Sequence, residues 1–340
     1  MKIEWLLSGA DPSYSIDDYR AGGRLYETHV RKILQDFHEL SVIYLSRGNH
    51  PLKIIRVIQF LSYILKNMKL KFAGEIVIRD AYSTVFAPFD RNRKNIVIMH
   101  HLDLPEDKKQ MFFNVFKRRF YQKARTADKI VVVSEFWREI LEKEGCSNVE
   151  IIYNSFDLGS FNFNNKEIQD LRLKLSIPQG KPIIYLGVAR PEKGYAESYE
   201  QLRGIDAIFI TTGTGRIDLP IIHKYLAYGD YLKMLKLSTL AVLMSKFKEG
   251  WCRNAHEAML CGTPVIGSGK GGMKELLTKG GQIICDDFSN LQLIVSEFLR
   301  DEQRRAVLSR SGQKYASQFS LEYFKEKWLK LIESIIQNDD

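Results

Sequence analysis

Short apolar runs alternate with amphipathic helical patterns from one end of this 340-residue chain to the other, and that alternation constrains the fold more than any other feature. KIEWLL (2–7), LSVIYLS (40–46), EIVIRD (75–80), NIVIMH (95–100), KIVVVS (129–134) and VEIIYN (149–154) are continuously apolar rather than apolar at every other residue. A strand of that kind is covered on both faces, as in a parallel sheet between layers of helices. Between several of them lie stretches such as LYETHVRKILQDFHEL, apolar at helical spacing. After Asn154, FDLGSFNFNNKEIQDLRLKLSIPQGK is polar and turn-rich, and is expected to be an interdomain linker with one short helix. The pattern restarts with PIIYLGVA (182–189), AIFITTG (207–213), LAVLMS (240–245), TPVIGS (263–268) and GQIIC (281–285). Two such halves predict two doubly wound α/β domains, 1–155 and 156–319, facing each other across a cleft. SLEYFKEKWLKLIESII predicts an amphipathic helix with Ser320 as N-cap, and residues 320–340 are expected to return to the N-terminal domain.

Composition removes several classes. Hydrophobic residues make up 45% and charged residues 27%, as in a soluble globular protein. No window holds the ~18 consecutive apolar residues of a membrane span. MKIEWLLSGADPSYS meets a turn at Gly9, Asp11 and Pro12 before any long apolar run, so no secretory leader is expected. Cys146, Cys252, Cys261 and Cys285 lack CxxC spacing, which predicts neither a metal site nor a disulfide framework and favours a reduced, cytoplasmic setting.

The net charge of +9 suits an anionic partner, and +6 of it belongs to residues 1–155 (25 basic against 19 acidic). Lys108 to Lys129 alone holds eight basic residues and one acid, with Phe112, Phe113, Phe116 and Phe120 interleaved at spacings of one, three and four. LKIIRVIQFLSYILKNMKLKF (52–72) has a similar mixture. Either stretch is a candidate for an anionic membrane surface, the plain alternative being a solvated helix face. A basic nucleic-acid-binding protein is the competing class, but no recognisable motif supports it, so no nucleic-acid partner is expected.

The chemistry concentrates in KEGWCRNAHEAMLCGTPV (248–265). Glu249 and Gly250 precede a helix expected to begin near Arg253 or Asn254, whose leading backbone N–H groups would suit a phosphate. Glu257, about one turn in, can accept two hydrogen bonds from a vicinal diol, and Glu249 can do the same for hydroxyls of a second ring. The plain alternatives are a surface glutamate and one that complements the helix dipole. Asn254 is a candidate N-cap as much as a ligand.

EGWCRNAHEAMLCGTPVIGSGKGGMKE resembles the signature of the retaining nucleotide-sugar glycosyltransferases with two Rossmann-like domains, the GT-B fold, family 4. Their pattern of two glutamates separated by seven residues, then E-A-M-x-x-G-x-P-V-I and a Gly-Gly-x-x-Glu loop, is matched by Glu249, Gly250, Glu257, Ala258, Met259, Gly262, Pro264, Val265, Ile266, Gly271, Gly272 and Glu275. AGGRLYETHVRKILQDFHELSVIYLS, NIVIMHHLD and IIYLGVARPEKG are similar to the family's Gly-Gly loop, His-ended strand and diphosphate-binding segment, in the expected order.

The resemblance implies that a hexose moves from a UDP- or GDP-linked sugar to a glycan, glycolipid or lipid-linked acceptor with retention and without metal or other cofactor. It implies that Glu249, Lys193 and His100 act on the transferred sugar and leaving diphosphate. Glu257, Arg190, Gly250, Trp251, Cys252, Arg253, Asn254, Gly23 and Gly187 would bind the donor, with Gly22 and His101 on the acceptor side. The family's Arg after the strand glycine is replaced by Val188, with Arg190 two residues on, and Cys252 stands where relatives carry Gly. No Asp-x-Asp occurs, so the metal-held diphosphate of the other major glycosyltransferase fold has no candidate. A nucleotide-sugar epimerase of similar build is the alternative enzyme, and would convert the donor with no acceptor present.

Overall fold

A computed structural model describes residues 1–8, 22–45, 50, 52–102 and 110–337, the side chains of 110–112 excepted. The turn expected at Gly9, Asp11 and Pro12, Lys108 and the Phe112 side chain lie outside the described residues. The chain forms two compact units, Met1–Tyr153 with the segment from Phe324 onward, and Asn154–Tyr323.

The first unit is built on six parallel strands: β1 (Lys2–Ser8), β2 (Glu39–Leu45), β3 (Ile76–Arg79), β4 (Lys94–Met99), β5 (Lys129–Val132) and β6 (Val149–Ile151). Their order is β2-β1-β3-β4-β5-β6, with Ile3 opposite Leu40 on one side and Ile76 on the other. The connecting helices are α1 (Gly22–Phe37), α2 (Lys53–Met68), α3 (Ala81–Phe86), α4 (Gln110–Ala124) and α5 (Glu135–Lys143). The strand order reverses between β1 and β3, which opens a crevice at their carboxyl ends.

The second unit has β7 (Ile183–Val188), β8 (Ile208–Thr212), β9 (Ile222–Lys224), β10 (Leu240–Leu243), β11 (Val265–Gly267) and β12 (Ile283–Ile284), again all parallel. The order β12-β11-β10-β7-β8-β9 places its reversal between β7 and β10. Its helices are α6 (Asn165–Lys174), α7 (Tyr195–Leu202), α8 (Tyr228–Leu237), α9 (Arg253–Leu260), α10 (Gly272–Lys279), α11 (Leu291–Arg300) and α12 (Glu302–Ala316). α13 (Leu321–Ile336) starts here, where the Ser320 hydroxyl caps it by accepting from the Tyr323 N–H at 3.1 Å, and ends in the first unit.

The apolar runs became strands because each is buried: Ile76–Ile78, Ile96–Met99 and Ile183–Leu186 are almost wholly covered. β9 has no such run. Its three residues are half-exposed at the sheet edge, which is why the hydrophobic pattern passes over it. The expected linker is part of the second unit: Asn164 closes a capping box with Glu167, and Leu171 buries α6 against it. Phe113, Phe116 and Phe120 of α4 do not form a surface stripe. Phe116 and Phe120 lie in the core with Val97, Trp137 and Leu141, and Phe113 packs against the same cluster.

The C-terminal helix returns to the first unit as expected. Trp328 is fully buried, with the Tyr26 ring 6.2 Å from its own and the Phe324 ring 6.4 Å away. Trp328→Ala is expected to destabilise the first unit by about 3–5 kcal/mol through the cavity it leaves. Urea unfolding followed by tryptophan fluorescence checks this, and a midpoint equal to wild type would refute it.

Candidate functional site

In the second unit, the β7–β10 crevice collects the charged residues. Gly187, the penultimate residue of β7, has a φ of +80° that accompanies a register shift against β8 between Tyr185 and Val188. The chain then runs extended through Arg190 and makes a short 3-10 turn over Pro191–Lys193. Gly194 closes that turn at φ +68°, where a Cβ would lie 2.2 Å from the Met244 carbonyl oxygen, so only glycine fits. This close approach brings Lys193 to the exit of β10. Its Nζ donates to Glu249 Oε1 at 2.6 Å, lies 4.7 Å from the Phe247 ring centroid, and the Ser245 hydroxyl donates to the same carboxylate oxygen.

The loop carrying Glu249 is held by its backbone. Its N–H donates to Lys270 O at 3.2 Å, and its carbonyl accepts from the Gly272 N–H at 2.9 Å. Gly271 at φ +67° makes this pairing possible, since a Cβ there would stand 2.4 Å from Glu249 O. Glu249 is therefore buried, oriented and ion-paired in a crevice lined by two loops.

Glu257 lies on α9 with both oxygens engaged. Oε1 accepts from Arg253 Nε at 2.9 Å and the Tyr228 hydroxyl at 3.0 Å, and Oε2 from the Tyr231 hydroxyl at 3.1 Å. Burial pushes the Glu257 carboxyl above its ordinary range, against the opposing pull of Arg253 and the two hydroxyls. Of the roughly four acceptor positions of a carboxylate, one remains on Oε2. A vicinal diol can thus bind with two hydrogen bonds only by displacing a tyrosine.

Several expected roles change. α9 starts at Arg253 and its N-cap is Cys252, so Asn254 is inside the helix rather than its cap; its Nδ2 donates to the Tyr185 hydroxyl at 3.3 Å. The α9 hydrogen-bond ladder begins with the N–H groups of Ala255 and His256, both donating to Cys252 O, which leaves those of 253 and 254 outside it. Trp251 turns inward: its Nε1 donates to His256 Nδ1 at 2.9 Å and its ring packs near Phe319, so only its backbone can meet a ligand. Arg253 holds Glu257 and the Ser155 carbonyl over the Phe156 ring instead of standing free for phosphate. Arg190 is exposed on an extended segment, with no side-chain partner among the described residues. Cys252 has φ +69°, which explains the glycine of relatives, and burial pushes its thiol up to about 12, so it stays protonated.

In the first unit, a second cluster forms at the carboxyl ends of β1, β3 and β4. Gly22 and Gly23 open α1, and a Cβ on Gly23 would be 3.0 Å from His100 Cδ2. His100 follows β4, edge-on to Tyr26 with ring centroids 5.0 Å apart. Its buried Nε2 lies 3.5 Å from Glu27 Oε1 and makes no hydrogen bond among the described residues. Asp80, directly after β3, caps α3 by accepting from the Ser83 N–H at 2.7 Å. Burial raises its carboxyl, Ser83 opposes that, and Glu27 adds to the rise, so the two acids are electrostatically coupled. His101 is exposed beside this cluster.

Two family models match the chain: Glycosyltransferase Family 4 over residues 20–160 and Glycosyl transferases group 1 over 220–315. The chain belongs to glycosyltransferase family 4. An uncharacterised glycosyltransferase of Methanocaldococcus jannaschii is 23% identical over 253 residues, covering 68% of this chain and 67% of that one. The lipopolysaccharide 1,2-N-acetylglucosaminetransferase of Salmonella typhimurium is 22% identical over 59% of this chain and 60% of its own length. Among solved structures, HepE of Anabaena in complex with UDP-glucose superposes with TM-score 0.78 at 19% identity, covering 98% of this chain and all of that one. Sucrose-phosphate synthase of Thermosynechococcus elongatus gives TM-score 0.79 at 15% identity, over 99% of both chains. The fold of this family 4 member is accordingly GT-B, two Rossmann-like units.

Glu27, Asp80, Tyr228, Tyr231 and Ser245 were not singled out by sequence. Tyr228 and Tyr231 carried a usable signal, since residues three apart share a helix face. Asp80 and Ser245 become visible only when the strands flanking each reversal are known.

Behind the second-unit site, His256 is fully buried, its Nε2 at 3.0 Å from Ala316 O and its Nδ1 accepting from Trp251. Burial drives its pKa from 6.5 down to about 3, so the folded state holds it neutral. A depressed histidine contributes stability above the unfolded value that is lost as pH falls below it. Stability is expected to drop by about 2 kcal/mol from this residue between pH 7 and pH 5. Urea unfolding at both values, with His256→Gln expected to flatten the difference, checks the sign.

Proposed function

We propose that this family 4 glycosyltransferase is a retaining, metal-independent enzyme. It moves a hexose from a UDP- or GDP-linked sugar to a glycan, glycolipid or lipid-linked acceptor. The observation that carries the reading is the Lys193–Glu249 pair at the β7–β10 reversal, its carboxylate buried and its lysine half-buried, with Ser245 on the same oxygen. In such sheets ligands bind outside the strand ends where the order reverses. HepE, the structural relative, was solved with UDP-glucose, which supports a nucleotide-sugar donor here.

The donor's diphosphate takes Lys193, whose charge stabilises the negative charge growing as the sugar–phosphate bond breaks. Arg190 supplies a second cation in the absence of the family Arg at Val188. Glu249, released from part of its bond to Lys193, accepts from hydroxyls of the transferred sugar. Glu257 accepts from the ribose, with the half-exposed Tyr228 the hydroxyl it gives up. The backbone of Gly250 and the leading N–H groups of α9 lie alongside the phosphates. In the first unit His100 and Glu27 offer a ring nitrogen with no hydrogen bond among the described residues, and a carboxylate, to sugar hydroxyls. Attack and departure on one sugar face leave the anomeric configuration unchanged, with a donor phosphate oxygen taking the acceptor proton and no covalent enzyme nucleophile. The protein works in the cytoplasm.

Lys193→Ala and Glu249→Gln are each expected to lower kcat/KM for transfer by about 10²- to 10³-fold with the melting temperature retained. Rates within a factor of two of wild type in both would overturn the site. Proton NMR of the first product settles the stereochemistry, and an inverted anomer would exclude retention. Full activity after chelation by EDTA is the expected outcome for metal independence.

A further inference from the structure

α2 is apolar on two opposite faces, and the fold uses one. Inward, Tyr63 and Asn67 are buried, the Tyr63 hydroxyl donates to Ser8 Oγ at 2.7 Å, and Phe60 stacks beside Tyr63 with ring centroids 6.0 Å apart. Outward, Ile54, Val57, Ile58, Leu61, Leu65 and Met68 are between 52% and 75% exposed. At 3.6 residues per turn these six fall within an arc of about 100°, with Tyr63 diametrically opposite Ile54. On soluble proteins the largest contiguous exposed apolar patches, roughly 300–600 Å², are often functional, and here six side chains each more than half exposed lie side by side. Nothing in the packing among the described residues of the first unit requires this stripe to be apolar.

The charges in the stretch that carries the stripe are all of one sign. Lys53, Arg56, Lys66, Lys69 and Lys71 belong to this stretch, and residues 40–74 contain no Asp or Glu. None of the five has an ion-pair partner among the described residues. The helix itself is 16 residues long, and no helix among the described residues is long and apolar enough to cross a membrane. α4, the other basic aromatic stretch, has spent Phe116 and Phe120 on the core, with Phe113 packed against it.

We propose that the outward face of α2 docks the protein on a membrane surface rich in anionic phospholipid. The apolar stripe lies in the headgroup–acyl boundary, and the flanking cations meet lipid phosphates, the arrangement of an interfacial helix. A second copy of the chain is a poor occupant, because pairing two such faces would bring ten uncompensated cations together. The proposal extends the functional reading to where a lipid-linked acceptor is met, but rests on its own observation.

The test is flotation of the full chain with vesicles of phosphatidylglycerol and phosphatidylcholine in equal parts, against phosphatidylcholine alone. Wild type is expected to float with the anionic vesicles only. The outward triple variant I54Q/I58Q/L65Q and the charge variant K53Q/K66Q/K69Q are each expected to lower binding about tenfold or more. Both keep the inner face, so circular dichroism and melting should match wild type, and rescue by Ile54→Leu with Leu65→Ile should be complete. Failure of wild type to float, or unchanged flotation of the apolar variant, would overturn the proposal. So would a dimer in light scattering that the apolar variant converts to monomer, which would assign the stripe to a second copy. Flotation reads no sugar transfer, so its failure and that of the enzymatic reading are separate outcomes.

Discussion

The ion pair between Lys193 and Glu249 depends on two glycines more than on the charges themselves. The residues are 56 positions apart and meet because two stretches of backbone approach more closely than any side chain allows. Gly194 passes over the Met244 carbonyl, and Gly271 over the carbonyl of Glu249 itself. Each adopts a left-handed φ that an L-residue reaches only at a cost, and each would collide with backbone, which cannot swing aside as a side chain can. The charged site is thus a product of steric permission granted by glycines elsewhere in the chain.

The two units place chemistry at equivalent points of different topologies. In one sheet the reversal falls between β1 and β3, and Asp80 follows β3; in the other it falls between β7 and β10, and Lys193 and Ser245 follow those strands. The electrostatics differ. The second unit pairs each of its two buried glutamates with a cation and hydroxyls. The first sets Glu27 against Asp80, like against like, beside a ring nitrogen that has no hydrogen bond among the described residues. A paired site is pre-oriented for one ligand, whereas a nitrogen short of a hydrogen bond next to coupled acids is the kind of group that awaits one.

Much of this was legible in the letters. Continuous apolar runs such as NIVIMH and PIIYLGVA mark buried parallel strands because a strand covered on both faces has no polar side to show. β9 escaped because an edge strand of three half-exposed residues carries no such run. The glutamates at 249 and 257 were legible through a shared signature. A signature, however, does not distinguish a residue that touches ligand from one that shapes the pocket, and Trp251 proved to be of the second sort. Glu27 and Asp80 have no local pattern at all. Their significance is conferred by strand order, which is a property of pairing between distant segments. The phenylalanines of α4 misled for a related reason: periodicity announces an apolar face without saying whether core or solvent lies beyond it.

Cys252 carries a consequence for comparing relatives of this protein. Its backbone takes a left-handed φ of +69° that a glycine adopts freely and a cysteine reaches only at a cost. A tally of matched positions would score the cysteine as a lost contact, yet the thiol is protonated and enclosed and the turn is intact. The cysteine at this position records tolerated strain in a turn whose course a glycine would follow without it.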